Sequence, residues 1–502
     1  MDTVQYILGG LANIFTFQTM FYLIIGVLVG QIVGILPGLG PVTGLALLIP
    51  MTFGMDPIPA LVMLTGVYYG AMFGGALTSI MFNTPGDAAA VVTTFDGYPL
   101  TKQGKAGLAI GTATIGSTIG GLVSTLLIVL LAPLVARLAL AFGPAEYTIL
   151  IALSFLLIIG LASKSKVKSG ISALLGLLLA LIGQDPITGT PRYTFGHLEL
   201  LQGIDFVIVA LGLFAIGEII SSLENYKELK DQKVGKVSKI FPNKKEFKQI
   251  LGPIRNGTLI GFVVGLLPGA GATISSFLSY SIAKKSSKSP ETFGKGNIEG
   301  VAAAESANNG SVGGAMVPML TLGIPGSNST AVLLGGMMIL GLQPGPMFFT
   351  KYPDIAWTVI VSMFIGVIIL FLMNTLLLKG FLQILRVPYS ILAVSIIILA
   401  FLGAFSVNRS MFEVFLMGTF GCLGYFLKKN DYPLAPLVLT LVLGGLLEQN
   451  WRRALSISEG SYIAFFQSPV SISLLAIGVL VIIIPFIKKL TRKDTEGKEI
   501  NV

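Results

Sequence analysis

Apolar stretches about as long as a bilayer-crossing helix, roughly 20 residues, recur along the whole of this chain, and no lysine or arginine occurs before Lys102. Only 11% of the 502 residues are charged, against about 25% in a soluble domain. A water-facing surface cannot be built from so few charges, so most of the surface must face lipid. A soluble multi-domain arrangement is excluded at this step, and the expected fold class is an all-α polytopic membrane protein.

Runs at about 145–162, 169–184, 204–222, 355–378, 388–406, 410–427, 433–449 and 470–487 read as membrane spans. Less regular segments bring the expectation to about 10–12 membrane-embedded helices. Basic loops fall at Lys164, Lys166 and Lys168, at 227–248, at Lys379 and Arg386, at Lys428 and Lys429, and from Lys488. Even numbers of spans separate those that can be counted, which places them on one side, the cytoplasm by the positive-inside rule. Arg452 and Arg453 run against this bias. The net charge of +9 therefore reflects topology and implies no nucleic acid. The expected location is a bacterial inner membrane, multi-pass, with the C-terminus cytoplasmic. Without a basic n-region before Lys102, no secretory signal peptide is expected.

The longest polar stretch divides the chain near its middle. It gives residues 1–223 as a first half, 224–250 as a lysine-rich cytoplasmic linker, 251–430 as a second half, and 431–502 as C-terminal spans and tail. The halves resemble each other at their oddest places. Val33-Gly-Ile-Leu-Pro37-Gly38-Leu-Gly40 matches Val264-Gly-Leu-Leu-Pro268-Gly269-Ala-Gly271, with Pro37 and Pro268 lying 231 positions apart. Asn83-Thr84-Pro85-Gly86-Asp87 matches Gly323-Ile324-Pro325-Gly326-Ser327, with Pro85 and Pro325 lying 240 positions apart. The polar insert around 284–297 accounts for the difference. Two landmarks in matching order at matching spacing indicate an internal repeat.

Pro-Gly inside an apolar segment ends a helix in mid-membrane, because proline removes a donor and clashes with the preceding turn. Lipid cannot satisfy the freed backbone groups, so such breaks survive only in protein or beside a polar cavity. Paired interruptions in two repeats point to a transporter's substrate site. The expected substrate-binding residues are accordingly Pro37, Gly38 and Gly40; Asn83, Thr84, Pro85, Gly86 and Asp87; Pro268, Gly269 and Gly271; and Pro325, Gly326, Ser327, Asn328 and Ser329. With no cation from the first half, helix N-termini would supply the attraction for an anion. Asp87 and Asp96 have equal readings as cap or turn residues. Tyr68 and Tyr69 are interfacial anchors or cavity residues, and the sequence does not separate the two.

Thr43, Thr273, Glu305, Asn308 and Asn309 are candidates for coupling-ion binding or gating. Glu305, Asn308 and Asn309 share one helical face by their spacing, and an intramembrane carboxylate is a functional hypothesis by default. No metal site of the Cys/His kind is expected, since Cys422 and His197 stand alone. Na⁺ held by unwound carbonyls is the one ion the pattern suits. His197 reads as an interfacial loop residue.

The motifs Gly34-Ile-Leu-Pro-Gly-Leu-Gly40, Tyr68-Tyr-Gly-Ala-Met-Phe-Gly-Gly75, Asn83-Thr-Pro-Gly86 and Asp96-Gly-Tyr-Pro99 resemble the large membrane subunit of tripartite tricarboxylate transporters. Gly265–Gly271, Glu305-Ser-Ala-Asn-Asn309 and Gly323-Ile-Pro-Gly326 match the second-repeat motifs, and the likeness covers roughly residues 15–450. The resemblance implies a small membrane subunit and a periplasmic solute-binding protein as partners. It also implies carboxylate substrates, citrate among them, and uptake driven by a Na⁺ or H⁺ gradient. By analogy the repeats are expected to be inverted and to move as an elevator. No Gly-x4-Gly-Lys-[Ser/Thr] motif occurs, in keeping with secondary transport. A passive anion channel built from the same half-helices is the alternative. An intramembrane enzyme would need a nucleophile–base or metal constellation that one His and one Cys do not supply, so no catalytic residues or cofactor are expected.

Overall fold

The computed structural model describes residues 3–163, 165–185, 188–224, 240–384 and 389–496. Lys164, Arg386, residues 225–239 of the lysine-rich linker and the terminal 497–502 lie outside the described residues. The chain is built of helices, in order α1 (Thr3–Ile14), α2 (Phe17–Ile35), α3 (Gly40–Leu48), α4 (Pro57–Phe82), α5 (Val91–Lys102), α6 (Ala106–Ala139), α7 (Pro144–Leu161) and α8 (Lys166–Ala180). A two-stranded hairpin, Gly183–Gln184 against Pro191–Arg192, precedes α9 (Phe206–Glu224). The remainder comprises α10 (Lys244–Gly265), α11 (Gly271–Ser286), α12 (Ile298–Leu322), α13 (Asn328–Ile339), α14 (Pro353–Leu376), α15 (Tyr389–Asn408), α16 (Met411–Lys429), α17 (Leu434–Ile457) and α18 (Pro469–Glu496).

Among the described residues, nine helices are long and apolar enough to cross a bilayer: α2, α4, α6, α7, α9 and α14 to α17. The sequence predicts about 10–12 membrane-embedded helices; beside the nine stand the shorter apolar helices Gly40–Thr52, Asn328–Ile339 and Pro469–Ile483, and α12 is a further candidate. Its 25 residues include Glu305, Asn308, Asn309 and three serines or threonines, yet Ile298 to Thr321 are nearly all buried in protein. A helix sheathed by other helices need not be apolar outwardly, so hydropathy does not find it.

Two glycine ladders set the packing. Gly26, Gly30 and Gly34 of α2 lie against the backbone at Met63, Val67 and Ala71 of α4. Gly257, Gly261 and Gly265 of α10 lie against Ala303, Ala307 and Ser311 of α12 in the same manner. A Cβ on Gly30 would sit 2.4 Å from the Val67 carbonyl oxygen, and one on Gly261 would sit 2.2 Å from that of Ala307. Small residues every fourth position let two helix backbones approach closely, the usual means of joining helices where lipid removes the hydrophobic drive. In both pairs the contacts rise in the same order, so α2 runs parallel to α4 and α10 parallel to α12.

The course of these pairs through the membrane follows from their ends. Thr101 Oγ1 donates to the Ile80 carbonyl at 2.8 Å, so α5 ends beside the end of α4. Gln103 Nε2 donates to the Lys295 carbonyl at 2.7 Å, just ahead of the start of α12. Helix α4 therefore runs toward the face that carries Lys102, Lys105 and Lys295, and α12 runs away from it. Lys168 Nζ donates to the Asn430 carbonyl at 2.6 Å, and Lys428 pairs with Glu218 at 2.6 Å, on that same lysine-rich face. On the opposite face Arg192 and Arg452 pair with Glu448 and Asp185. The basic loops thus segregate as the sequence predicts, and Arg452 finds its carboxylates in the hairpin loop and on its own helix.

Gly30→Ala and Gly261→Ala should each destabilise the protein by ~1–3 kcal/mol, the range for overpacking. Gly9→Ala, where a Cβ meets nothing within 4 Å, should leave stability unchanged or higher. Thermal unfolding of the detergent-purified variants checks this, and equal midpoints for all three would remove the ladders from the packing argument.

Candidate functional site

Each half breaks its helices twice. In α2–α3 the chain turns over Leu36–Leu39, with Gly38 at φ 81° and Gly40 at φ 59°. In α10–α11 it turns over Leu266–Ala270, with Gly269 at φ 78° and Gly271 at φ 56°. These four positions hold a left-handed backbone that side chains with a Cβ rarely adopt. The second break of each half begins at a left-handed helix end, Asn83 (φ 57°) after α4 and Gly323 (φ 69°) after α12. It finishes in a side-chain cap. Asp87 Oδ1 accepts from the Ala90 amide at 2.8 Å, while Ser327 Oγ accepts from the Thr330 amide at 3.2 Å and Thr330 Oγ1 from the Ser327 amide at 2.8 Å. The cap closes one of the donors that a starting helix leaves orphaned.

The breaks meet in one place. A cavity of about 440 Å³ is lined by Gly38 to Thr43, Asp87 to Ala89, Gly269 to Ile274 and Ser327 to Ser329. The N-terminal ends of α3, α11 and α13, and the turn leading into α5, all point into it. Partial positive charge from the N-termini of α3 and α11, which have no side-chain cap, is therefore directed at one volume without any cationic side chain among the lining residues. Leu161, Ala162, Glu218 and Pro433 to Ala435 complete the wall toward the lysine-rich face. Tyr68, buried in α4, reaches across the halves, its hydroxyl 3.2 Å from Ser327 Oγ. Thr43 donates to the Phe214 carbonyl at 3.1 Å. That carbonyl belongs to a π-helical stretch of α9, Leu211–Ile216, a local widening that recurs at functional positions.

The structure sorts the residues singled out from sequence. Gly38, Gly40, Thr43, Asp87, Gly269, Gly271, Thr273, Ser327, Asn328 and Ser329 line the cavity. Pro37, Thr84, Pro85, Pro268 and Pro325 shape the turns and are absent from its wall. Gly86 and Gly326 are packing positions instead, since a Cβ would fall 2.2 Å from the Gly34 carbonyl oxygen and 2.5 Å from that of Gly265. Asn83 is exposed and ends α4 as a left-handed cap, a role that asparagine fills through conformation and not through its amide.

Glu305, Asn308 and Asn309 lie apart from the cavity, where α5, α6 and α12 meet. Glu305 is wholly buried; Thr93 Oγ1 donates to it at 2.5 Å and Ser117 Oγ at 3.1 Å. Neighbouring Asn308, 1% exposed, is buried beside this carboxylate. No cation stands against this carboxylate among the described ion pairs. A second buried carboxylate, Asp96, joins the halves: Oδ1 accepts from the amides of Gly294, Gly296 and Asn297 at 2.8–2.9 Å, and Oδ2 from the Tyr280 hydroxyl at 2.8 Å. Sequence reasoning missed Glu218, the π-helical stretch and the linking role of Asp96. The first two carry no local pattern, and Asp96 needs the fold to bring 294–297 to it.

Such a site, with opposed broken helices around a polar cavity inside a polytopic helical protein, defines a membrane transport protein. Residues 20–439 match the description of the Tripartite tricarboxylate transporter TctA family, and the chain belongs to that family. It is 40% identical over 495 residues, 98% of each chain, to an uncharacterised 52.8 kDa protein in the TAR-I ttuC' 3' region of Agrobacterium vitis. It is also 40% identical over 233 residues, 46% of this chain and 96% of the relative, to an uncharacterised protein in the TAR-II ttuC' 3' region of the same organism. No solved structure matches the chain.

Asn83→Gly should keep both stability and function, because glycine takes φ 57° freely. Asn83→Val should lose ~1–2 kcal/mol, the cost of a left-handed non-glycine residue. Unfolding midpoints check the pair; loss of function in the glycine variant with normal stability would return Asn83 to the ligand site.

Proposed function

We propose that this chain is the translocating subunit of a binding-protein-dependent secondary transporter that imports a carboxylate, a tricarboxylate such as citrate or a related organic anion. The observation that carries the reading is the convergence of breaks from both halves on one cavity of about 440 Å³. Helix N-termini attract a carboxylate, and Ser327, Asn328, Ser329, Thr43 and Thr273 orient it. Uptake is driven by a Na⁺ or H⁺ gradient. Glu305 is the coupling group: an unpaired carboxylate in the protein interior is costly when ionised, so a proton or Na⁺ would join it at one stage of the cycle. The partners are a small membrane subunit and a periplasmic solute-binding protein, and the location is a bacterial inner membrane with the C-terminus cytoplasmic.

The two halves form an inverted repeat. Support comes from the opposite courses of α4 and α12, and from the constant offset of 231 positions that relates Gly26, Gly30, Gly34, Gly38 and Gly40 to Gly257, Gly261, Gly265, Gly269 and Gly271. An elevator-like displacement of the broken-helix core against α7–α9 and α15–α18 would carry the solute across.

Proteoliposomes holding this chain, its small membrane partner and the solute-binding protein should accumulate labelled citrate under an inward Na⁺ or H⁺ gradient. Accumulation indifferent to both gradients, or conductance without saturation, would replace the reading by a passive channel. Asn328→Leu should abolish uptake while leaving insertion intact. Glu305→Gln should lose at least about tenfold in gradient-driven accumulation, a factor equal to ~1.4 kcal/mol of driving free energy, while citrate exchange at zero gradient persists.

A further inference from the structure

The central cavity holds two carboxylates, Asp87 and Glu218, and no cation among its lining residues. A second cavity has the opposite character. It encloses about 290 Å³ on the face away from the lysine-rich loops, and its lining includes Lys351 and Arg453 but no aspartate or glutamate. Gln343, Gln449, Asn450 and Tyr352 add polar groups. The Tyr147 hydroxyl, in the same wall, is buried without a hydrogen-bond partner, a state that is ordinarily destabilising.

The neighbouring charges explain why the two cations are free. Glu448 sits between Arg192 and Arg452, at 2.7 Å from each, and Asp185 is 2.8 Å from Arg452 and 3.6 Å from Arg192. Glu448 and Asp185 are thus already paired with two other arginines. Lys351 and Arg453 enter no ion pair among the described residues. The lining side chains carry two formal positive charges and no negative one, which favours an anion.

Its floor is the second break of the second half. Leu322, Gly323 and Ile324 line this cavity, whereas Ser327, Asn328 and Ser329 line the central one. Helix α13 spans the two, contributing Leu334 and Met338 on this side. The Gly345 amide donates to the Leu320 carbonyl at 3.2 Å and ties the overlying loop to the end of α12. The short re-entrant turn and the helix that follows it thus contribute to the walls of both cavities.

We propose that this second cavity is an entry site for a multiply charged carboxylate, held by Lys351 and Arg453 with the Tyr147 hydroxyl donating to it, and that Gly323–Ser327 is the partition the solute must pass to reach the central cavity. The proposal rests on the transport reading for its direction, but binding at the entry site can be measured without transport.

In a Cys422→Ser background, Met347→Cys places an exposed thiol on the rim of this cavity. Its modification by anionic and by cationic methanethiosulfonate reagents of similar size is followed in detergent, with and without citrate. The anionic reagent should react at least threefold faster than the cationic one, and citrate, but not a neutral polyol at equal osmolarity, should slow it. Both effects should fall away in the Lys351→Gln/Arg453→Gln variant, whose unfolding midpoint reports whether it is folded. Tyr147→Phe should retain the reagent preference yet weaken citrate protection several-fold. Equal rates for the two reagents, or citrate protection unchanged in the double variant, would overturn the proposal. Failure of gradient-driven uptake with citrate protection intact would instead count against the transport reading alone.

Discussion

A helix that stops inside a membrane leaves amides and carbonyls that lipid cannot satisfy, each worth several kcal/mol if left bare, and the architecture of this protein follows from enclosing four such stops. The glycine ladders of α2 on α4 and α10 on α12 bring a second backbone into contact with each broken helix. Gly86 and Gly326 let the second break of each half pack onto the first. Asp87 and the Ser327–Thr330 pair cap the restarting helices from their own side chains. The N-terminal ends of the restarting helices line the central cavity.

The same constraint explains what could be read from sequence. The Pro-Gly pairs announce themselves because they violate the composition of an apolar run, so the breaks were legible together with most spans, the segregation of basic loops and the family. The partition of residues around the breaks was not. Asn83 resembles a ligand-binding amide in sequence, yet its backbone conformation gives it the end of a helix. Glu305, Asn308 and Asn309 share a face with spacing that suggests proximity to the breaks, and that face turns instead toward Thr93 and Ser117. The glycine ladders were present in the sequence as a four-residue period and could have been found by asking which helices must approach closely.

The two cavities differ in the charge of their linings, and this too needs the fold. The central cavity is lined by helix N-terminal ends together with Asp87 and Glu218, the latter paired with Lys428, while the cavity behind Gly323 is lined by two side-chain cations. Lys351 and Arg453 lie 102 positions apart, on different helical segments, and nothing local in either segment marks them as partners.

The central claim is that the broken helices of the two halves enter from opposite faces and meet in the middle. Sided labelling tests it most directly. In intact cells carrying the Cys422→Ser chain, single cysteines are placed at exposed Met51, beyond α3, and exposed Lys288, beyond α11. A membrane-impermeant maleimide should label Met51→Cys in intact cells and Lys288→Cys only after permeabilisation. Labelling of both from the same side would place the two hairpins in one orientation and contradict the account.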